Sequence, residues 1–369
     1  MSEFDRKTLV REIALYFLRL GATGFGGPLA IVAQMQRDLV DDKKWLDKDE
    51  FNQVIPLIKA MPGALGFSVA SYMGYRRGGL KGGVLAGWCL VAPAFFLMIL
   101  IAGAYDQMQS MPLISSALLG MQASALALVL FSIRSLIKGY EREPKFWVLF
   151  LSGIGMSLGG GPEPLIILIF ALLSIVEQKV RAGSSTTKMI SILPLLFFTP
   201  TVADLFMICF RAGALVFGSG LAIVPLLETD FVDKMGWLTH SQFIDALAFG
   251  QMTPGPVLIT VTFVGYKLSG IAGALAATLG VFLPSQFHMV TWFPKLTTWL
   301  SAQRWISAFV LGALAAVVSS LVLTSYKLCL QSSVRQNIMT AVLLAIAVRF
   351  KIPSWLLIAG GAGIGIVWL

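Results

Sequence analysis

The segment Arg19-Leu20-Gly21-Ala22-Thr23-Gly24-Phe25-Gly26 recurs as Arg211-Ala212-Gly213-Ala214-Leu215-Val216-Phe217-Gly218, 192 residues later. The same spacing pairs Leu29-Ala30-Ile31-Val32 with Leu221-Ala222-Ile223-Val224, and Asp38 and Asp41 with Asp230 and Asp233. It also pairs Trp45-Leu46 with Trp237-Leu238, Phe51 with Phe243, and Pro62-Gly63 with Pro254-Gly255. One residue is then lost. A spacing of 191 pairs Gly74-Tyr75 with Gly265-Tyr266, Gly79 and Gly82 with Gly270 and Gly273, and Pro93 with Pro284. A register held this long marks a duplication. The sequence divides into a first repeat over 1–180, a linker over 181–200 that opens with the polar run Arg181–Thr187, and a second repeat over 201–369.

Of the 369 residues, 57% are hydrophobic and only 13% charged. Soluble domains carry about 25% charged residues. This chain lacks the polar surface to coat a water-soluble globule, which excludes an ordinary soluble enzyme and a disordered protein. The expected fold is an all-α polytopic membrane protein, with lipid around it. The formal net charge of +9 comes from Lys and Arg scattered between apolar runs. Such loop cations act as topology determinants, and no nucleic-acid partner is expected. The charged start, with Arg6, Lys7 and Arg11, does not resemble a secretory leader and is expected on the cytoplasmic side. Cys89, Cys209 and Cys329 sit singly in or beside apolar runs and read as small buried hydrophobes.

Spanning helices are expected over 82–105, 113–133, 165–176, 271–291 and 305–323, with shorter apolar helices over 146–158, 338–348 and 355–369. Gly159-Gly160-Gly161-Pro162 and Pro353 should turn two short helical hairpins, 146–176 and 338–369. Loop charge alternates between halves. The loops 106–112 and 159–164 lack Lys and Arg, whereas their repeat partners contain Lys295 and Arg304, or Arg349 and Lys351. Conversely, Arg76, Arg77 and Lys81 face only Lys267, and Arg134, Lys138, Arg142 and Lys145 face only Lys327 and Arg335. That swap predicts inverted repeats of about five transmembrane helices each. The apolar stretch 189–198 could change the crossing count.

Each repeat also carries two breaks inside apolar sequence. The first are Gly24-Phe25-Gly26-Gly27-Pro28 and Phe217-Gly218-Ser219-Gly220. The second are Met61-Pro62-Gly63 and Thr253-Pro254-Gly255-Pro256. Pro28, Pro62 and Pro254 or Pro256 suit the first turn of a new helix. A broken helix persists in a bilayer only where protein or a watery cavity satisfies its backbone. A helix N-terminus presents free N–H groups and about half a positive charge, a ready anion site. Four such ends would supply about two positive charges between them. The expected architecture is therefore two repeats with broken or re-entrant helices at their interface, forming a substrate site for an anion. Close helix packing is the competing role for each glycine.

Arg19 and Arg211 form a matched pair beside the first breaks, either in the site or snorkelling to an interface. Lys59, matched by Gln251, is either a cation for the anion or an interfacial lysine. Ser219, Thr253, Thr260 and Thr262 either donate to the anion or bond their own helix backbone. The polar stretch 38–51 and its milder partner 230–243 each read as a solvated loop and a short amphipathic helix, with Trp45 and Trp237 at a membrane interface. Asp38 and Asp230 are secondary candidates as proton carriers. His240 and His288 are unmatched between repeats and stand without clustered acids, so no metal site is expected. No HExxH, GxSxG or Walker A motif is present, and no cofactor or enzymatic role is expected.

These motifs resemble the chromate ion transporter family in its long, two-domain form, over essentially the whole chain. The carrying residues are Phe25-Gly26-Gly27-Pro28, Phe217-Gly218-Ser219-Gly220, Gln251-Met252-Thr253-Pro254-Gly255-Pro256 and the Trp-Leu pairs. There are departures. Lys59 stands where the family has glutamine, Ala64 replaces the final proline, Ser219 replaces a glycine, and the usual histidine after Phe25-Gly26-Gly27-Pro28 is absent. The resemblance implies a secondary transporter that exports chromate, a tetrahedral oxyanion, across the inner membrane by alternating access and confers chromate resistance. A homodimer is compatible with it. Sulfate or another anion, or an anion channel of the same architecture, are the alternative readings.

Overall fold

The computed structural model describes residues 3–181, 202–217, 219–301, 303, 305–350 and 352–368. Among them every regular element is helical. The first repeat comprises α1 (Glu3–Thr23), α2 (Gly27–Met35), α3 (Lys48–Ala60), α4 (Leu65–Gln109), α5 (Pro112–Ile137), α6 (Pro144–Leu158) and α7 (Glu163–Arg181). The second comprises α8 (Val202–Ala214), α9 (Val224–Glu228), α10 (His240–Met252), α11 (Thr260–Val290), α12 (Phe293–Ser301), α13 (Trp305–Gln331), α14 (Val334–Phe350) and α15 (Ser354–Trp368). The expected linker lies almost wholly outside the described residues, as does the apolar stretch 189–198. Among the described residues four segments are long and apolar enough to cross a membrane: Leu65–Gln109, Pro112–Ile137, Val257–Val290 and Trp305–Gln331.

The two longest helices are hairpins. In α4, Gly78 and Gly79 leave helical geometry, Gly79 at φ 64°, and in α11 Ser269 and Gly270 do the same, Gly270 at φ 58°. Positive φ is nearly free only for glycine, which is why the matched pair sits at both turns. The chain then folds back on itself. A side chain on Gly74 would collide with the Gly82 carbonyl, and one on Gly265 with the Gly273 carbonyl. Small residues let the two arms approach at backbone distance. Each hairpin thus consists of a short inner arm, 65–77 or 260–268, and a long spanning arm.

The remaining helices pack on this frame by the same device. Ile13, Phe17 and Leu20 form the buried stripe of α1, and Gly21 meets the backbone of Leu90. Its repeat equivalent, Gly213 of α8, meets the backbone of Val281. The long arms run antiparallel. Gln286 Nε2 reaches the Gly83 carbonyl at 3.4 Å, while at the other end Lys267 Nζ reaches Asp106 Oδ1 at 2.6 Å.

The short hairpins are exchanged between repeats. Gly120 of α5 packs on Gly361 and Gly365 of α15, and Thr340 of α14 donates to the Ala123 carbonyl at 3.2 Å. Gly312 of α13 packs on Phe170 of α7, and Ser319 donates to the Phe150 carbonyl of α6 at 2.8 Å. Each repeat's central helix therefore holds the other repeat's terminal hairpin. Gly159–Pro162 and Pro353 separate the paired helices as expected.

The structure refines three local readings. The stretch 294–304, expected as a loop, is largely the helix α12, an amphipathic piece whose Phe293 and Leu300 are buried. Residues 36–42 and 229–234 are π-helical turns continuing from α2 and α9, so the expected loops are confined to 43–47 and 235–239, ahead of the helices that start at Lys48 and His240. Trp45 is buried at 8% exposure, packed by protein rather than open on the surface. Lys43 Nζ and the Arg77 guanidinium lie over its ring at 5.6 and 5.5 Å.

Candidate functional site

The four breaks meet at the repeat interface and cross-link each other. Gly63 N–H donates to the Val216 carbonyl at 2.7 Å, and Gly255 N–H donates to the Gly24 carbonyl at 3.0 Å. Gly24 and Val216 are repeat equivalents, as are Gly63 and Gly255. The second break of each repeat therefore satisfies the first break of the other, in a pseudo-twofold pair. Isolated in lipid, those backbone groups would be expensive.

Beside this crossing lies a cavity of about 510 Å³. From the first repeat it is lined by Gly26, Gly27, Pro28 and Lys59, and from the second by Ser219, Gly220, Gln251 and Val257. Pro28 occupies the first turn of α2, as expected, after a left-handed Gly26. The first-turn N–H groups of α2 thus open at the cavity. The equivalent second-repeat element begins as a 3₁₀ turn, Gly220–Ile223, whose Leu221 N–H donates to Ser219 Oγ at 3.3 Å. Lys59 and Gln251 are repeat equivalents and line the same space. Gln251 is 7% exposed, and its Nε2 has no acceptor among the described residues. A buried amide donor without a partner is costly unless something fills the cavity beside it.

Not all four helix starts point there. The first N–H before α4, on Ala64, donates to Ser285 Oγ at 2.9 Å instead. Pro62 and Pro254 lie at the breaks, several residues ahead of α4 and α11, rather than in their first turns. Pro62 lines a separate apolar cavity with Met61, Trp292 and Trp305. Pro254, Gly255 and Pro256 are buried in the crossing. Thr253 donates to the Phe249 carbonyl of its own helix at 2.8 Å, and Thr260 to Val257 at 2.9 Å. Thr262 bonds Thr278 at 2.7 Å. Phe25 is half exposed against Trp355, and Phe217 packs on Phe309, both at ring distances of 5.6 Å. Gly218 lies outside the described residues.

Neither arginine lines the cavity. Arg211 is ion-paired with buried Asp230, which also takes Lys234 at 3.2 Å. Arg19 is exposed on α1. Asp38 accepts from Tyr16 Oη at 3.0 Å. His240, read as isolated from acids, is brought by the turn after α9 to Glu228 and Asp233. Twelve residues of sequence hid that contact, because a π-helical turn and a short loop fold them together.

Sequence reasoning missed the far wall. Ser132, Ser135 and Lys138 of α5 and its end, and Ser307 of α13, also line the cavity. They carry no motif; the packing of the two central helices, α5 and α13, brings them to the cavity. A second buried network was equally silent. Asp245 of α10 accepts from Tyr105 Oη at 2.5 Å and from Gln122 Nε2 at 2.9 Å, tying α4 and α5 to the second repeat.

The chromate transporter family model matches twice, over residues 11–176 and 203–366. A chromate transport protein of Cupriavidus metallidurans is 32% identical, over 97% of this chain and 93% of its own length. A probable chromate transport protein of Synechococcus elongatus is 30% identical over 84% of each chain. A chromate transport protein of Pseudomonas aeruginosa is 29% identical over 82% of this chain and 77% of its own. No solved structure matches. With a duplicated helical body, four cross-linked breaks and a family match in each half, the chain belongs to the chromate transporter family.

Proposed function

We propose that this chain is a secondary transporter that carries chromate out of the cytoplasm, with the ion held in the cavity between the two repeats. One observation carries the reading. A cation, an unpartnered amide and the N-terminus of α2 face one space at the crossing of the breaks. A tetrahedral dianion needs donors from several directions and has no protons of its own to donate. Lys59 supplies charge, while Gln251 and the α2 backbone supply directed N–H groups. A space of about 510 Å³ admits such an ion with part of its hydration shell, at roughly 30 Å³ per water.

The antiparallel long arms and the exchanged hairpins support inverted repeats. So does the charge pattern: the cavity reaches Lys138 and Tyr140, at the end of α5 where Arg134, Arg142 and Lys145 gather. By the positive-inside rule that end is cytoplasmic, and the conformation is inward-open. Asp106–Lys267 and Asp245–Tyr105 then close the opposite side. Alternating access rocks one repeat on the other about the crossing.

The test is chromate uptake into inside-out vesicles, with and without sulfate and an imposed pH gradient. Saturable uptake that Lys59→Ala weakens is the expected result. Uptake blocked by sulfate would assign a general tetrahedral-oxyanion site. Absence of uptake by folded protein would overturn the chromate assignment, and flux that never runs uphill would make the chain a channel.

A further inference from the structure

The turn between α9 and α10 gathers three metal-ligating side chains that anion transport does not use. Donor atoms of Glu228, Asp233 and His240 lie within 4.8 Å of one another. Glu228 is 0% exposed, and neither of its carboxylate oxygens accepts a hydrogen bond. His240 Nδ1 faces Glu228 Oε1 at 2.9 Å, again without a hydrogen bond. Two lone-pair atoms held that close repel unless a proton or a cation lies between them. Burial with no partner but this imidazole makes the carboxylate's demand for a positive charge stronger.

Beyond His240, the surroundings do little to meet that demand. Asp233 is half-exposed and shares Lys327, whose Nζ is 3.0 Å from Oδ2. Glu163 of α7 accepts from Thr229, next to Glu228, at 2.9 Å. Three carboxylates thus face one lysine and one histidine. The fold does not require this set. At the equivalent first-repeat positions stand Gln36 and Asp41, on a π-helical turn of the same kind, and Lys48, the first residue of α3. The cluster belongs to the second repeat alone.

We propose that the α9–α10 turn binds a divalent first-row transition-metal ion, zinc being the reference, through Glu228, Asp233 and His240. One imidazole and two carboxylates match that class and leave a coordination position for water. Donors about 2.0–2.2 Å from a tetrahedral zinc lie about 3.4 Å apart, so the donor set, within 4.8 Å without metal, closes by roughly an ångström on binding. The half-exposed Asp233 and His240 provide entry from solvent. Bound metal would clamp the N-terminal end of α10, whose other end carries Gln251.

The experiment is titration of zinc, and separately cobalt, into chelator-treated full-length protein in detergent. A chromophoric chelator reads zinc stoichiometry, and the visible spectrum of cobalt reads its ligands. One ion per chain is expected, lost in Asp233→Asn and in His240→Gln. Lys327→Met should tighten binding several-fold, because it removes the cation that competes for Asp233. A wild-type chain that binds no stoichiometric ion overturns the proposal. So does binding that survives both ligand variants. Should His240→Gln not fold, Asp233→Asn and Lys327→Met decide between loss with tightening, which supports the site, and no change, which overturns it.

Discussion

Lys59 and Gln251 show how a duplicated pair of positions becomes asymmetric. The repeat places both side chains at the same cavity, but one brings charge and the other only dipoles. A hydrogen bond to a charged group contributes about 1.5–3 kcal/mol, so Lys59→Ala should raise the KM for chromate roughly tenfold or more, and Lys59→Arg should preserve most of the affinity. Gln251 gives a sharper test. Its Nε2 is buried without an acceptor, so Gln251→Leu removes an unsatisfied donor from the empty protein. Thermal stability should stay level or rise while transport falls. A loss of stability would show that the amide has a structural partner instead. Lys59 and Gln251 were legible as a matched pair, and so were the glycines around them. The threonines were legible only as alternatives, and the structure assigns Thr253 and Thr260 to their own backbones. Hydroxyl residues are ambiguous in sequence because a helix carbonyl is always within their reach.

Among the elements, the hairpins α4 and α11 depend most on residue identity. Gly74 and Gly82, like Gly265 and Gly273, approach to backbone contact. Gly74→Val or Gly265→Val would force the arms apart. Overpacking of this kind typically costs about 1–3 kcal/mol, and the rigid backbone on the far side should put the cost at the upper end. The expected outcome is a lower melting temperature in detergent and less monodisperse protein. Gly360 has open space around it, so Gly360→Ala should change neither and serves as the control. The hairpin turns were visible in sequence only as repeated glycines. Apolar patterning gives spanning runs, but it does not reveal that 65–77 and 80–109 fold against each other, since both are buried or lipid-facing along their length. The same limit hid α12, whose short amphipathic stripe looks like a loop beside Pro294 and Lys295.

At the scale of the molecule the halves are interlocked rather than merely adjacent. With α6 and α7 on α13, and α14 and α15 on α5, neither repeat buries its own central helix. Expressed as separate chains cut within 182–200, each half alone should be degraded or aggregate, whereas co-expressed halves should co-purify. Stable folding of one half alone would contradict the exchange. The proposed inversion predicts that cysteines at positions 107–111 and 295–301 are labelled from opposite membrane faces; labelling from one face would remove it. The sequence by itself determined the helical membrane class, the duplication with its register, and the position of all four breaks. Those follow from local chemistry: an apolar run long enough to span, and Gly or Pro where a helix cannot continue. The tertiary structure decided which break satisfies which, that Lys59 and Gln251 share a cavity with the serines of α5 and α13, that Arg211 is held by Asp230, and that His240 meets Glu228. Pairing across the repeat interface depends on how two helical bodies pack in three dimensions, and residues far apart in the chain carry no periodicity that records it.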